Sequence, residues 1–205
     1  MCDESFLERD VAKDKYTNFE KLFSEKIEDG DYRIIVVEGK TDDLIMAPHG
    51  GKIELHTSQI ARKIAGDDLS LYLFEGIMSE RNQELHVTSA NYDEPQALKI
   101  AEKSARIVAI HGRCDEDDPN TTCIGGLDTD TGQKIAQQLK KAGFPIEAPC
   151  KRFPALNPQN ICNRGTSKKG VQLEIPISLR TRLISDKEEL ERFAGAINKA
   201  LSNEI

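Results

Sequence analysis

The sequence predicts a layered α/β fold, and three observations carry that expectation. Short apolar runs rich in β-branched residues alternate along the chain with segments of helical periodicity. No internal repeat or low-complexity linker breaks the alternation over 205 residues, which suits a single domain spanning 1–205. With 38% hydrophobic and 31% charged residues, the chain has enough apolar side chains to bury a sizeable core.

Residues 18–26 read as the first helix. Strands are expected at 32–38 (YRIIVVE) and 44–47 (LIMA), followed by a helix at 57–65 that Thr57 can cap and Gly66 can stop. Further strands at 69–74 (LSLYLF) and 84–89 (ELHVTS) precede a helix at 94–105. Strands 106–111 (RIVAIH) and 122–125 (TCIG) flank an acidic loop, DEDD, that reads as solvated rather than as a metal cage. A helix at 131–142 stops at Gly143, and 171–175 (VQLEI) is the last strand. The final helix, 186–202, places Leu190, Phe193, Ala194, Ile197 and Leu201 on one stripe, a surface that faces a core.

Composition excludes several classes. No apolar run approaches the ~20 residues of a membrane span, so no membrane partner is expected. The acidic N-terminus, MCDESFLERD, lacks the apolar stretch of a Sec-type signal, so synthesis in a cytoplasm is expected. Five cysteines stand far apart without a C-x-x-C pair, against a zinc ribbon or a disulfide-dense scaffold. Cys114 and Cys123 flank the acidic loop and can pair, although buried or idle thiols are the simpler expectation.

The net charge of −7 argues against a general nucleic-acid binder, which needs a basic footprint. The charge is uneven, however. Residues 140–182 hold nine Lys/Arg against Glu147 and Glu174, a surplus of seven that leaves the remainder of the chain at −14. A basic third on an acidic chain is either a solvated face or the place where an anionic ligand is met.

In a sheet of this kind ligands bind beyond the carboxyl ends of strands. The polar residues there are His49 and Glu54 in MAPHGGKIE, His111 after RIVAI, and Glu174 in GVQLEI. All are types that ligate or assist a catalytic metal, which takes three His, Glu or Asp ligands and keeps one position open. Gly50 and Gly51 would let the chain fold back so that His49 and Glu54 reach one ion. The spacing by itself leaves a plain polar turn equally open. Alternation puts Val171, Leu173 and Ile175 on one face of the last strand and Gln172 and Glu174 on the other. Glu174 is then either a solvated strand position or a base beside a metal.

The ordered set APHGG…IE…TSQIA, YLFEG, LHVTS…YDEP, AIHG, GG, NICNRG and GVQLEI, running from about residue 16 to about 182, resembles the phage and prophage poly-γ-glutamate hydrolases, small relatives of the zinc carboxypeptidase fold. The resemblance implies a three-layer α/β/α sandwich around a mixed, mainly parallel sheet. It implies one Zn2+ held by His49, Glu54 and His111, with the fourth position left to water, and Glu174 as general base. Asn163, Arg164 and Arg180 look like the side chains that grip substrate carboxylates, and His86 of LHVTS fits a family motif as a substrate contact or a support for a ligand. The histidine-to-glutamate spacing is five residues where the larger carboxypeptidases have three, so Glu54 is the ligand that departs from their pattern. The implied activity is zinc-dependent, endo-type cleavage of γ-glutamyl amides in a host's capsular poly-γ-glutamate by a monomer released on lysis. The charge map agrees, since that polymer carries a free α-carboxylate on every residue and arginine recognises carboxylates bidentately.

Two other readings remain at this stage. The same fold and zinc could serve a small N-acyl amino acid. A phage replication accessory protein with a structural metal is a third reading, disfavoured by the acidic charge and by the lack of tryptophan and of aromatic stacking motifs. Cys162 in NICNRG has no neighbouring histidine to suggest a thiol nucleophile, and His56 reads as a surface or capping residue at a helix start.

Overall fold

The computed structural model describes residues 14–116 and 118–202. Seven strands, β1 (Tyr32–Val37), β2 (Asp43–Gly51), β3 (Ser70–Gly76), β4 (Arg106–Arg113), β5 (Thr122–Gly125), β6 (Ile146–Glu147) and β7 (Val171–Pro176), form one mixed sheet in the order β1-β3-β2-β4-β7-β5-β6. The β3-β2, β2-β4, β4-β7 and β5-β6 pairs are parallel, while β1-β3 and β5-β7 are antiparallel. The helices are α1 (Phe19–Glu25), α2 (Thr57–Ala65), α3 (Pro95–Ala101), α4 (Thr129–Lys141), α5 (Ile177–Ser185) and α6 (Lys187–Leu201). This is the expected α/β/α sandwich.

Period-2 alternation sorts each central strand between two cores. Ile45, Ala47, Leu71, Leu73, Val108, Ile110, Val171, Leu173 and Ile175 join one apolar cluster with Ile60 and Ile64 of α2, Leu139 of α4, Leu179 of α5 and Phe193 of α6. Leu44, Met46, Tyr72, Phe74, Ile107 and Ala109 join the other, with Phe19 and Leu22 of α1 and Ala97 and Ile100 of α3. Each such fully buried aliphatic or aromatic side chain contributes roughly 1.5–3 kcal/mol of transfer free energy. β3 and β7 are buried along their whole length and β2 along all but its last residue, as expected of strands covered on both faces. Among the described residues no helix is long and apolar enough to cross a membrane.

Capping follows local chemistry. Asn18, Glu94, Asp128 and Asp186 each accept backbone N–H groups at the starts of α1, α3, α4 and α6, a service worth about 1 kcal/mol per helix. Gly66 and Gly143, both at positive φ, end α2 and α4 as the sequence indicates.

The structure departs from the expected elements in four places. Residues 84–89 are not a strand: they lie in and between the 3-10 turns Asn82–Leu85 and Ser89–Asn91. Leu85 and Val87 are buried there, so the alternation is real, but the backbone bonds locally (His86 N to Gln83 O, Asn91 N to Thr88 O) instead of to a sheet. Thr57 does not cap α2. That place belongs to His56 at φ 77°, which makes no side-chain cap, while the Thr57 hydroxyl donates back to Glu54 O at 2.8 Å. Two elements, the two-residue β6 and the helix α5, are not among the expected ones. Finally, the thiols are not idle: Cys123 and Cys150 form a disulfide, Cys114 is disulfide-bonded as well, and of the described cysteines only Cys162 is free.

Candidate metal centre

β2 does not end at Ala47. It continues through Pro48, and its register against β3 slips between Ala47 and Gly50. Proline has no N–H for the ladder, so a bulge is where a strand tolerates it, and bulges re-aim the side chains beside them. Here the bulge turns His49 inward. Beyond it, Gly51 at φ +64° and the bond from Glu54 N to His49 O (2.9 Å) fold the chain back on itself. A Cβ on Gly51 would lie 2.4 Å from Gly76 O, so glycine is required there on two counts. This turn closes the five-residue gap.

The result is one compact group. His49 Nδ1 lies 3.2 Å from Glu54 Oε1 and 3.2 Å from His111 Nδ1, and His111 Nδ1 is 3.7 Å from Glu54 Oε2. His49 Nε2 is 2.9 Å from Val87 O. A carbonyl only accepts, so that nitrogen carries the proton and Nδ1 turns its lone pair toward the group. Ser89 Oγ stands 3.4 Å from His111 Nε2, and Gly112 N donates to Glu54 Oε2 at 2.8 Å. A tetrahedral ion about 2.0–2.1 Å from its ligands would set them about 3.3–3.4 Å apart. Two imidazole nitrogens and a carboxylate at 3.2–3.7 Å, with His49 and His111 only 1% and 2% exposed, fit that geometry. Among the described residues this is the one His/Cys/Asp/Glu group able to hold a metal ion.

The neighbours of this trio differ in role. The His86 ring packs against that of His49, centroids 3.9 Å apart, and its Nδ1 is 2.8 Å from Asp14 Oδ1. Burial acts to raise the Asp14 carboxyl, but bonds from His86 and Thr88 N outweigh it and leave Asp14 below its usual range. Pro48 O accepts from the Tyr92 hydroxyl, which meets Tyr72 and through it Glu94, so the YDEP segment braces the bulge.

Glu174 stands opposite His111 in the parallel β4-β7 register. Burial, then the charge of Glu54, push its carboxyl up to about 8, against the pull of Arg180, His86 and Arg113. Glu54 behaves oppositely: burial would raise it, but His49 and His111 hold it well below the usual carboxylate range. Two neighbouring carboxyl groups are thus driven in opposite directions, the kind of pair that can divide acid and base roles.

The remaining expected residues are placed as follows. Asn163 is buried with its hydrogen bonds committed: Nδ2 donates to Ala155 O and Asn157 O, while Oδ1 accepts from Leu127 N and Gly170 N. Arg180 is 4% exposed, and its guanidinium donates to the carbonyls of Ile175, Leu55 and Arg113. Gly112 makes room for it, since a Cβ there would lie 2.4 Å from the guanidinium carbon. Arg164 follows the 3-10 turn Ile161–Asn163, half-buried and without an ion pair among the described residues. Cys162 is buried, and that burial pushes its thiol up to about 12, which disfavours a thiolate near neutral pH. Nearby, Glu75 pairs with Arg33 and Arg62. Asp115 and Asp118 accept hydrogen bonds that shape their own loop and anchor Ser178. The sequence reading missed Asp14, Ser89 and the Val87 carbonyl as supports, because only the fold brings them to the histidines.

The sequence profile of the poly-γ-glutamate hydrolases matches residues 16–201. The chain is 38% identical over 177 residues to the SPbeta prophage-derived protein YoqZ of Bacillus subtilis (strain 168), covering 85% of this chain and 63% of that protein's length. Its fold is similar to a bacteriophage poly-γ-glutamate hydrolase at TM-score 0.87 and 33% identity, over 92% of this chain and 97% of that one. It is likewise similar to YndL in a zinc-free form, at TM-score 0.85 and 30% identity over 93% and 98% of the two chains. On the extent of these matches, this chain belongs to the poly-γ-glutamate hydrolase family.

Proposed function

We propose that this chain is a zinc-dependent hydrolase cutting the γ-glutamyl amide bonds of poly-γ-glutamate within the polymer. The observation that carries this reading is the His49–Glu54–His111 trio with Glu174 at the adjacent register position. A zinc ion bound by the trio would supply Lewis acidity to the scissile carbonyl and to the attacking water. Glu174 takes a proton from that water at its free oxygen as oxygen bonds to the amide carbon. It then delivers the proton to the leaving nitrogen as the C–N bond breaks, freeing a γ-carboxyl and an α-amine. Among the nearby charges, Arg180, His86 and Arg113 favour the ionised carboxylate that this role needs, against burial and the charge of Glu54.

Substrate recognition falls to Arg164, whose guanidinium has no ion pair among the described residues, with exposed Lys168 and Lys169 near it in sequence on a surface suited to a polyanion. Asn163 supports this grip by clasping the loop, and Arg180 by placing a buried cation near both carboxylates. His86 steadies the His49 ring by packing against it. The Cys123–Cys150 disulfide favours work outside a reducing cytoplasm, in keeping with release by lysis onto a capsular polymer.

Incubation with poly-γ-glutamate and, separately, with N-acetylglutamate tests the reading. The expected result is a rapid fall in polymer mean size by size-exclusion chromatography, with little free glutamate and no deacetylation. Deacetylation with intact polymer would move the assignment to a small N-acyl amino acid. Release of monomers from full-length chains would make the cleavage exo-type.

A further inference from the structure

We propose that Gln172 is a positioning residue for Glu174, its amide oriented in turn by Asn160. The chain of contacts begins at a backbone group. Cys162 N donates to Asn160 Oδ1 at 3.1 Å. A backbone N–H cannot reverse its role, so the Asn160 amide must turn its Nδ2 the other way, where it donates to Gln172 Oε1 at 3.0 Å. With its oxygen committed, Gln172 presents Nε2 to Glu174 and donates to Oε1 at 2.8 Å. Each link fixes the polarity of the next.

Burial makes this polarity consequential. Asn160, Gln172 and Glu174 are 6%, 6% and 7% exposed, so water offers little alternative partnering. Gln172 and Glu174 share one face of β7, and the β4-β7 register sets that face beside His111. A donor on Oε1 therefore pins the carboxylate and leaves Oε2 as the atom that exchanges a proton. Asn160 also caps the 3-10 turn that carries Cys162, so the loop before β7 and the base are set by one side chain. This inference rests on Glu174 acting as the base.

Asn160→Asp tests it with almost no change of shape. The new carboxylate still accepts from Cys162 N but cannot donate, so Gln172 must turn Nε2 toward it and offer Oε1, an acceptor, to Glu174. On zinc-loaded protein the expected kcat on poly-γ-glutamate falls about 10- to 100-fold, the cost of a misaligned catalytic group. KM stays within about twofold, and metal content is unchanged. Gln172→Met should lose a similar factor, and adding Asn160→Asp to it should cost nothing further, because the relay then has no carrier. Wild-type kcat in Asn160→Asp, or losses that multiply in the double variant, overturns the proposal. If Asn160→Asp does not fold, Gln172→Met decides alone: wild-type kcat overturns it, and a kcat loss at unchanged KM and metal content supports it. Glu174→Gln run in parallel separates the two ideas. If that variant is inactive while Asn160→Asp is fully active, the relay fails and the base stands; if it is active, the base itself is lost.

Discussion

Glu174→Gln is expected to keep its metal and lose turnover, with kcat falling about a hundred- to ten-thousandfold, the usual worth of a general base. The substitution preserves shape, removes the proton acceptor and touches none of the three ligands. Metal content by atomic absorption and kcat on the polymer together check it; a variant that retains wild-type kcat removes Glu174 as the base. A second consequence concerns the metal-free protein. Burial raises the folded carboxyl to about 8 from an ordinary 4.5, so the stability that neutral Glu174 contributes is complete below about 4.5 and lost as pH rises through about 8. The amide never charges. Metal-free Glu174→Gln should therefore gain stability over metal-free wild type as pH climbs across that interval, measured by thermal unfolding at a series of pH values.

The other large effect is expected from His111→Ala. His111 faces both His49 and Glu54 from a strand 62 positions away from His49, so its loss opens the trio rather than loosening one edge. Loss of a supporting residue around a metal costs about 10- to 100-fold in affinity, and a ligand should cost more. Turnover should drop to background at equimolar zinc. Isothermal titration with zinc measures the affinity, and unchanged binding would remove His111 from the centre. The same change also deprives Glu54 of one of the two partners that hold its carboxyl low, so that carboxyl should titrate nearer its ordinary range.

Much of the site was legible because the sheet has a simple grammar. Alternation on VQLEI puts Glu174 on the face away from Leu173, and alternation on RIVAIH puts His111 on the face away from Ile110; the β4-β7 register then makes these one face of the candidate site. The five-residue spacing from His49 to Glu54 could not be resolved that way, because the bulge at Pro48 and the left-handed turn at Gly51 are tertiary solutions to a local problem. Polar side chains that look available in a sequence can be spent in the fold. Asn163 and Arg180 hold backbone carbonyls, and three carbonyls take the Arg180 guanidinium. The apolar alternation of ELHVTS truly buries Leu85 and Val87, but the segment pairs with no strand among the described residues and closes into 3-10 turns. The Cys123–Cys150 disulfide spans 27 residues, and only the β5-β6 pairing that brings those segments together makes it visible.

Titration of zinc into chelator-stripped protein, with poly-γ-glutamate chain length as the readout, tests the metal centre most directly. Stripped protein should leave the polymer intact, and shortening should rise with added zinc to a plateau at one ion per chain. Polymer shortening at full rate in the stripped protein would contradict the proposed mechanism.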